Sequence, residues 1–232
     1  MQAAPAKTSI LVLDIDGTLT NSVALHQEAF LGAIQALGLR QLETNWGSYA
    51  QHTDTGIVAE AIARDPLLKG IDFNQTAFEA DLEQRFSILL QTRGISEIAG
   101  AKAFVEAAHL SDWGVVFASG GIRSVSREKL RAVGIPYSDE ILITSSEWEN
   151  RTQLVAAAIA RAQSYYGIAS PQSVLSLGDG RWDWQVARQL DIHFLGVGRA
   201  PSADVLRSLG AKVIGDLRDA AAMLNRFDHQ SN

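Results

Sequence analysis

Two carboxylates, Asp14 and Asp16, stand two residues apart directly behind the apolar run Ile10-Leu11-Val12-Leu13 and ahead of Gly17. A short continuous apolar run reads as a strand buried on both faces of a parallel sheet. Open α/β sheets bind their ligands at the carboxyl ends of such strands. Alternate residues of an extended segment point the same way, so both carboxylates can face one small site. Their repulsion calls for a cation or a shared proton. A second acidic motif, Gly178-Asp179-Gly180-Arg181-Trp182-Asp183, follows the apolar run Val174-Leu177. Asp179 and Asp183 lie about one helical turn apart and can face the same cavity. Hard carboxylate oxygens suit Mg²⁺ better than zinc. Either motif alone could be helix capping; the two together in one chain argue for a site.

A third run, Phe117-Ala118, ends in Ser119-Gly120-Gly121. A hydroxyl followed by glycine amides at a helix start can hold phosphate oxygens. A phosphoryl group beside so many carboxylates also needs a basic partner. Arg151 is the candidate, with Lys129, Arg123, Arg127 and Arg131 as rivals on another helix. Between two helical segments lies His52-Thr53-Asp54-Thr55-Gly56, whose Thr53 and Asp54 are candidates for substrate contact; the plain alternative is a helix cap. Trp46 and Arg93 are further candidates for substrate contact, with packing as the alternative. Trp182 and Trp184 read as packing residues that bury their helix against the sheet. Gly196-Val197-Gly198-Arg199-Ala200-Pro201 approaches a dinucleotide fingerprint but has Pro where the last Gly belongs and follows the last strong strand, so it reads as a loop. None of the five histidines has metal-ligand spacing.

The elements that must position these residues alternate along the chain. Strands are expected at Ile10-Leu13, Val115-Ala118, Ile141-Ile143, Val174-Leu177 and His193-Val197, with helical patterns between them. Val155, Ile159, Ala162 and Tyr166 line one such helix face. This alternation predicts a doubly wound α/β fold with a parallel sheet. One stretch departs from it. From Ser22 to Arg93 the periodicity is helical, with Phe30, Ile34 and Leu37 on one face and Phe78, Leu82, Phe86 and Leu89 on another. Breaks fall at Gln41-Thr44, Pro66 and Gly70. The expected division is an α/β core from 1–21 and 95–232 with an all-helical insert at 22–94. The polar tail after Phe227 is expected to fray.

Composition closes off other classes. The chain of 232 residues has no Cys, which removes disulfides, thiolate zinc sites and cysteine nucleophiles. A formal net charge of -6 argues against a nucleic-acid footprint. No apolar run is long enough to span a bilayer, and Met1 to Thr8 lacks the pattern of a secretory signal. A cytoplasmic enzyme is the expectation.

Taken in order, DIDGTLT, strand-ending Ser119, a basic residue and GDGRWD resemble the haloacid dehalogenase-like hydrolase superfamily. The helical insert behind the first motif resembles its C1-capped branch, with phosphoglycolate phosphatase-like and β-phosphoglucomutase-like enzymes. The resemblance implies a Rossmann-like core, a helical cap, Mg²⁺ as cofactor and a small phosphorylated metabolite as substrate. It implies that Asp14 is the nucleophile and Asp16 the acid and base. It further implies that Ser119 and the Gly120 amide hold phosphate oxygens. Mg²⁺ would be bound by Asp14, the Asp16 carbonyl and Asp179, with Asp183 in support. The family commonly carries Lys where this chain offers Arg151, which would supply a bidentate fork. A phosphomutase is the alternative within the family. A receiver-like phosphoaccepting module is the alternative from another class; the insert and Asp16 argue against it.

Overall fold

The first apolar run forms strand β1 (Ser9–Leu13), and all five of its residues are buried. It lies at the centre of a six-stranded sheet in a computed structural model that describes residues 5–38, 43–44, 46–65 and 73–227. After β1 come three helices, α1 (Val23–Ala36), α2 (Asp54–Arg64) and α3 (Gln75–Arg93). The alternating part then runs α4 (Ala101–Leu110), β2 (Trp113–Ser119), α5 (Arg123–Ala132) and β3 (Leu142–Thr144). It continues through α6 (Arg151–Tyr166), β4 (Val174–Gly178), α7 (Arg181–Gln189), β5 (His193–Val197), α8 (Ser202–Ser208), β6 (Val213–Ile214) and α9 (Ala221–Phe227).

The strand order is β3-β2-β1-β4-β5-β6, and every pairing is parallel. The expected α/β class is therefore the observed one. A parallel sheet covered on both faces explains why β1, β2 and β4 read as unbroken apolar runs. Register sets the site. Leu13 pairs with Phe117 on β2 and with Leu177 on β4. Asp14, Ser119 and Asp179 thus leave neighbouring strands within two residues of one level. They do so where the chain order reverses between β1 and β4, the crevice at which open sheets bind ligands. The sixth strand, β6, was not expected. It is two residues long and half-buried, too short to show a hydrophobic period.

The helices of the stretch 22–94 have their own core. Phe30 and Ile34 of α1, Val58 of α2 and Phe78, Leu82 and Phe86 of α3 are buried in one cluster. Ile122 and Val125, at and inside the start of α5, belong to the same cluster, so the insert is packed onto the α/β part. Losing Leu82 to Ala there would cost about 2–5 kcal/mol, a large share of a typical 5–15 kcal/mol stability. Asn74 and Thr53 cap α3 and α2 by accepting from Ala77 N at 3.0 Å and Gly56 N at 3.2 Å. Of the breaks, Gln41-Leu42, Pro66 and Gly70 lie outside the described residues, as does the tail after Phe227. Among the described residues no helix is long and apolar enough to cross a membrane.

Candidate functional site

The loop behind β1 is folded tightly against β4. Asp14 N–H donates to Leu177 O at 3.1 Å, and Gly17 N–H closes a turn on Thr20 O at 2.8 Å. Gly17 has a φ of +78°, and a Cβ there would collide with the Asp179 carboxylate. Only glycine allows that turn at that approach. The loop thereby presents Asp14 and Asp16 on one rim with Asp179.

The two carboxylates then meet opposite surroundings. Asp14 is 8% exposed and stands with Asp179 and Asp183; one carboxylate oxygen from each lies within 4.8 Å of the others. Arg151, the first residue of α6, donates from Nη2 to both Asp14 and Asp183 at 2.8 Å. Thr18 Oγ1 donates to the other Asp14 oxygen at 2.9 Å. Burial, then repulsion from Asp183, outweigh Arg151 and push the Asp14 carboxyl up to about 7. Burial and the charges of Asp14 and Asp183 also hold Asp179 well above the usual carboxylate range. Burial works against the Arg151 charge, but Asp183 and Asp14 overcome it and raise its proton affinity further. Asp183 also accepts from Gly180 N at 3.2 Å, which caps α7.

Asp16 has a different neighbour. Lys129 Nζ, fully buried on α5, donates to it at 2.7 Å, and Ser22 Oγ donates to its other oxygen at 2.5 Å. Burial alone would raise this carboxyl. Lys129, His26 and Ser22 outweigh burial and hold it down at about 2. From Lys129 a chain of polar contacts runs to the insert. Its ammonium lies 3.0 Å from His26 Nδ1 and 5.3 Å from the Phe86 ring centre. His26 Nε2 lies 2.8 Å from Asp54 Oδ1. The other Asp54 oxygen accepts from Ile122 N at 2.9 Å, and Asp54 N–H donates to Gly120 O at 2.7 Å.

A cavity of about 150 Å³ lies over this rim. Asp14, Asp16, Asp179, Gly120 and Arg151 line it, together with Thr53 and Asp54. Asp183 is not on that wall; it stands behind, paired to Arg151. Ser119 is fully buried, and its Oγ accepts from Gly121 N at 3.1 Å and from Ser126 Oγ at 3.0 Å. Thr53 and Asp54 reach the wall with their side chains already engaged. Thr53 Oγ1 bonds Glu149 O and caps α2, and Asp54 bridges the insert to the loop after β2. Arg123 and Arg127 pair with Glu147 and Asp139 near the surface, and Arg131 is exposed. Trp46 is on the cavity wall, whereas Arg93 pairs with Glu28 at 2.6 Å. Trp182, read as packing against the sheet, instead stacks on His52 at the wall with ring centres 4.5 Å apart.

Sequence reasoning missed the role of His26 and the partner of Lys129. A signal existed for each. Lys129 falls four residues after Val125 on the apolar face of α5, where a charged residue must find a partner. Ser22 and His26 are four apart, so they share a face at the start of α1.

The donor set fits a hard divalent cation. Three carboxylates, all offering oxygen, share a small space with one arginine, and burial together with mutual repulsion holds two of them high. Burial of one unpaired donor, Arg151 Nε, leaves a further group at this rim without a partner among the described residues.

Comparison with known proteins agrees with this geometry. The family model described as haloacid dehalogenase-like hydrolase matches residues 8–191. A hydrolase from Pseudomonas syringae superposes with a TM-score of 0.68 at 21% identity, covering 97% of this chain and 100% of that one. CbbY from Rhodobacter sphaeroides, solved in complex with phosphate, gives a TM-score of 0.68 at 14% identity, covering 91% and 96%. A variant of that protein is solved with xylulose-(1,5)bisphosphate. A Bacteroides vulgatus protein provisionally assigned as a beta-phosphoglucomutase gives 0.64 at 16%, covering 96% and 89%. No curated protein matches the sequence significantly. With the family model covering most of its length over these motifs, the chain belongs to the haloacid dehalogenase-like hydrolases.

Proposed function

We propose that the protein is a Mg²⁺-dependent phosphatase of a small phosphorylated metabolite, working through a phosphoryl group carried on Asp14. The observation that carries this reading is the contrast at the end of β1: one carboxylate among acids, the next bound to a lysine, both on one cavity.

Asp14, Asp179 and the Asp16 carbonyl would hold Mg²⁺, with Asp183 behind them. When bound, the ion supplies positive charge that offsets the transferring phosphoryl group. An Asp14 oxygen forms a bond to phosphorus as the bond to the leaving oxygen breaks. Asp16 protonates that oxygen; the arriving dianion raises the carboxyl's proton affinity, as a like charge does. In the second half Asp16, returned to the ionised form that Lys129 favours, takes a proton from water. That water attacks phosphorus and frees Asp14 and inorganic phosphate. Arg151 lines the cavity, so its guanidinium can engage phosphoryl oxygens. Gly120 and Gly121 lie on the same wall, with the Gly121 amide donating to Ser119 Oγ. The helical insert 22–94 serves as the cap over the core 1–21 and 95–232, closing the cavity against bulk water.

The test is phosphate release from a panel of phosphorylated metabolites, with Mg²⁺ and with excess EDTA. Metal-dependent release that is lost in Asp14→Asn supports the reading. Asp179→Ala is expected to raise the Mg²⁺ requirement more than Asp183→Ala does. No release from any monoester, or full activity in EDTA, would reject it. Transfer of the phosphoryl group to a second hydroxyl of a sugar, without free phosphate, would make the enzyme a mutase.

A further inference from the structure

The wall of the cavity beyond the phosphoryl end identifies the leaving group, an inference that rests on the phosphatase reading. Val23 and Phe30 of α1, Ile57 of α2 and Trp46 line that part, with the stacked His52–Trp182 pair. Phe30 and Trp46 meet edge to face with ring centres 5.4 Å apart. Such a wall offers ring faces, ring edges and hydrocarbon, the contacts that hold flat apolar groups. The volume of about 150 Å³ covers the phosphoryl end and this wall together, so the room beyond the phosphate suits a small group.

Positive charge is the second half of the argument. Among the described residues lining the cavity, Arg151 is the one Lys or Arg, and it is committed to Asp14 and Asp183. His26 spends one ring nitrogen on Lys129 and the other on Asp54. Lys129 is fully buried and bound to Asp16. Burial, then the charges of Arg151 and Arg181, hold the His52 imidazole down at about 4, so it is neutral near pH 7. Against this stand the carboxylates of Asp14, Asp16, Asp54 and Asp179 on the same wall. Among the described residues lining the cavity, a second phosphate or a carboxylate on the substrate would meet these carboxylates and no uncommitted Lys or Arg.

We propose that the cavity selects phosphate monoesters of an uncharged alcohol with a flat apolar body, and disfavours substrates that carry a second anionic group. The closing experiment compares benzyl phosphate with 4-carboxybenzyl phosphate, esters of nearly the same alcohol that differ by one carboxylate. Phosphate release in the presence of Mg²⁺ gives kcat/KM for each. Benzyl phosphate is expected to exceed its carboxylated partner by tenfold or more. Gln27, exposed on α1 and also on the wall, supplies a second arm. Gln27→Lys should narrow the ratio by adding the missing cation. Equal or reversed specificity in the wild type, or an unchanged ratio in Gln27→Lys, would overturn the inference. Preferred hydrolysis of 2-phosphoglycolate or of a sugar bisphosphate would overturn it too, with the phosphatase reading intact. No release from any ester would instead reject the phosphatase reading itself.

Discussion

Asp14 and Asp16 leave the same strand two residues apart, and their carboxyl groups are driven in opposite directions, up to about 7 and down to about 2. Asp14 is buried and Asp16 half-buried, and burial raises both carboxyls, so it does not account for the opposite directions. The partners do. Asp14 shares its space with Asp179 and Asp183 and receives one arginine. Asp16 receives a lysine and a serine hydroxyl. One carboxyl stands in a surplus of negative charge that invites a cation; the other is already paired. The usual pairing makes the raised group the acid, so the proposed nucleophile Asp14 depends on a bound cation to favour its ionised form.

The comparison can be broken at either half, and the largest effect is expected at Asp14. Asp14→Asn keeps the shape and removes the proposed nucleophile, so turnover should fall by at least roughly 10³-fold while the far-ultraviolet spectrum stays unchanged. A variant that keeps a tenth of wild-type turnover would remove Asp14 from the chemistry. Asp16→Asn should cost about 10²–10⁴-fold, the usual contribution of a positioned acid and base. Arg151→Ala should cost roughly 10²–10³-fold in kcat, and Arg151→Lys should restore part, because a point charge remains without the fork. If Arg151→Ala is nearly silent and Lys129→Met is crippling, the two halves exchange their cations.

A smaller effect is expected where the second half reaches the insert. Asp54 spends its oxygens on His26 and the Ile122 amide, so it joins the insert to the core. Asp54→Ala should lower kcat/KM by about tenfold, or 1.4 kcal/mol, and equally for a metabolite and a small aryl phosphate. A loss confined to the metabolite would make Asp54 a reader of the leaving group. The smallest effect concerns His52. Its proton affinity is lower folded than unfolded, so the unfolded chain takes up the proton first as pH falls. Stability is full above about 6.5 and is lost as pH drops toward about 4. His52→Phe, which keeps a ring against Trp182, should lose less melting temperature between pH 7 and pH 5 than the wild type.

Much of the site was legible in residue types and spacing. Asp14, Asp179 and Ser119 each close an apolar run, and parallel strands put such ends on one edge. The two-residue β6 was not legible, because it carries no period to read. Trp182 was misread because an aromatic residue near a strand end packs on a sheet or faces a cavity with the same local pattern. Its neighbour His52 comes from another element, and only that contact decides.

The sequence by itself determined which groups were candidates for chemistry and that strand ends would bring Asp14 and Asp179 to one edge, since strand alternation and strand ends are local properties. It also determined that the elements described between 22 and 94 are helices. Tertiary structure decided which cation serves which carboxylate. Arg151 and Lys129 sit on helices α6 and α5, and each reaches across the fold to its carboxylate, Lys129 over 113 positions to Asp16 and Arg151 over 137 to Asp14. The direction of a buried basic side chain is set by how its helix packs, and a buried charge is held only where a partner is met. No local spacing encodes that meeting.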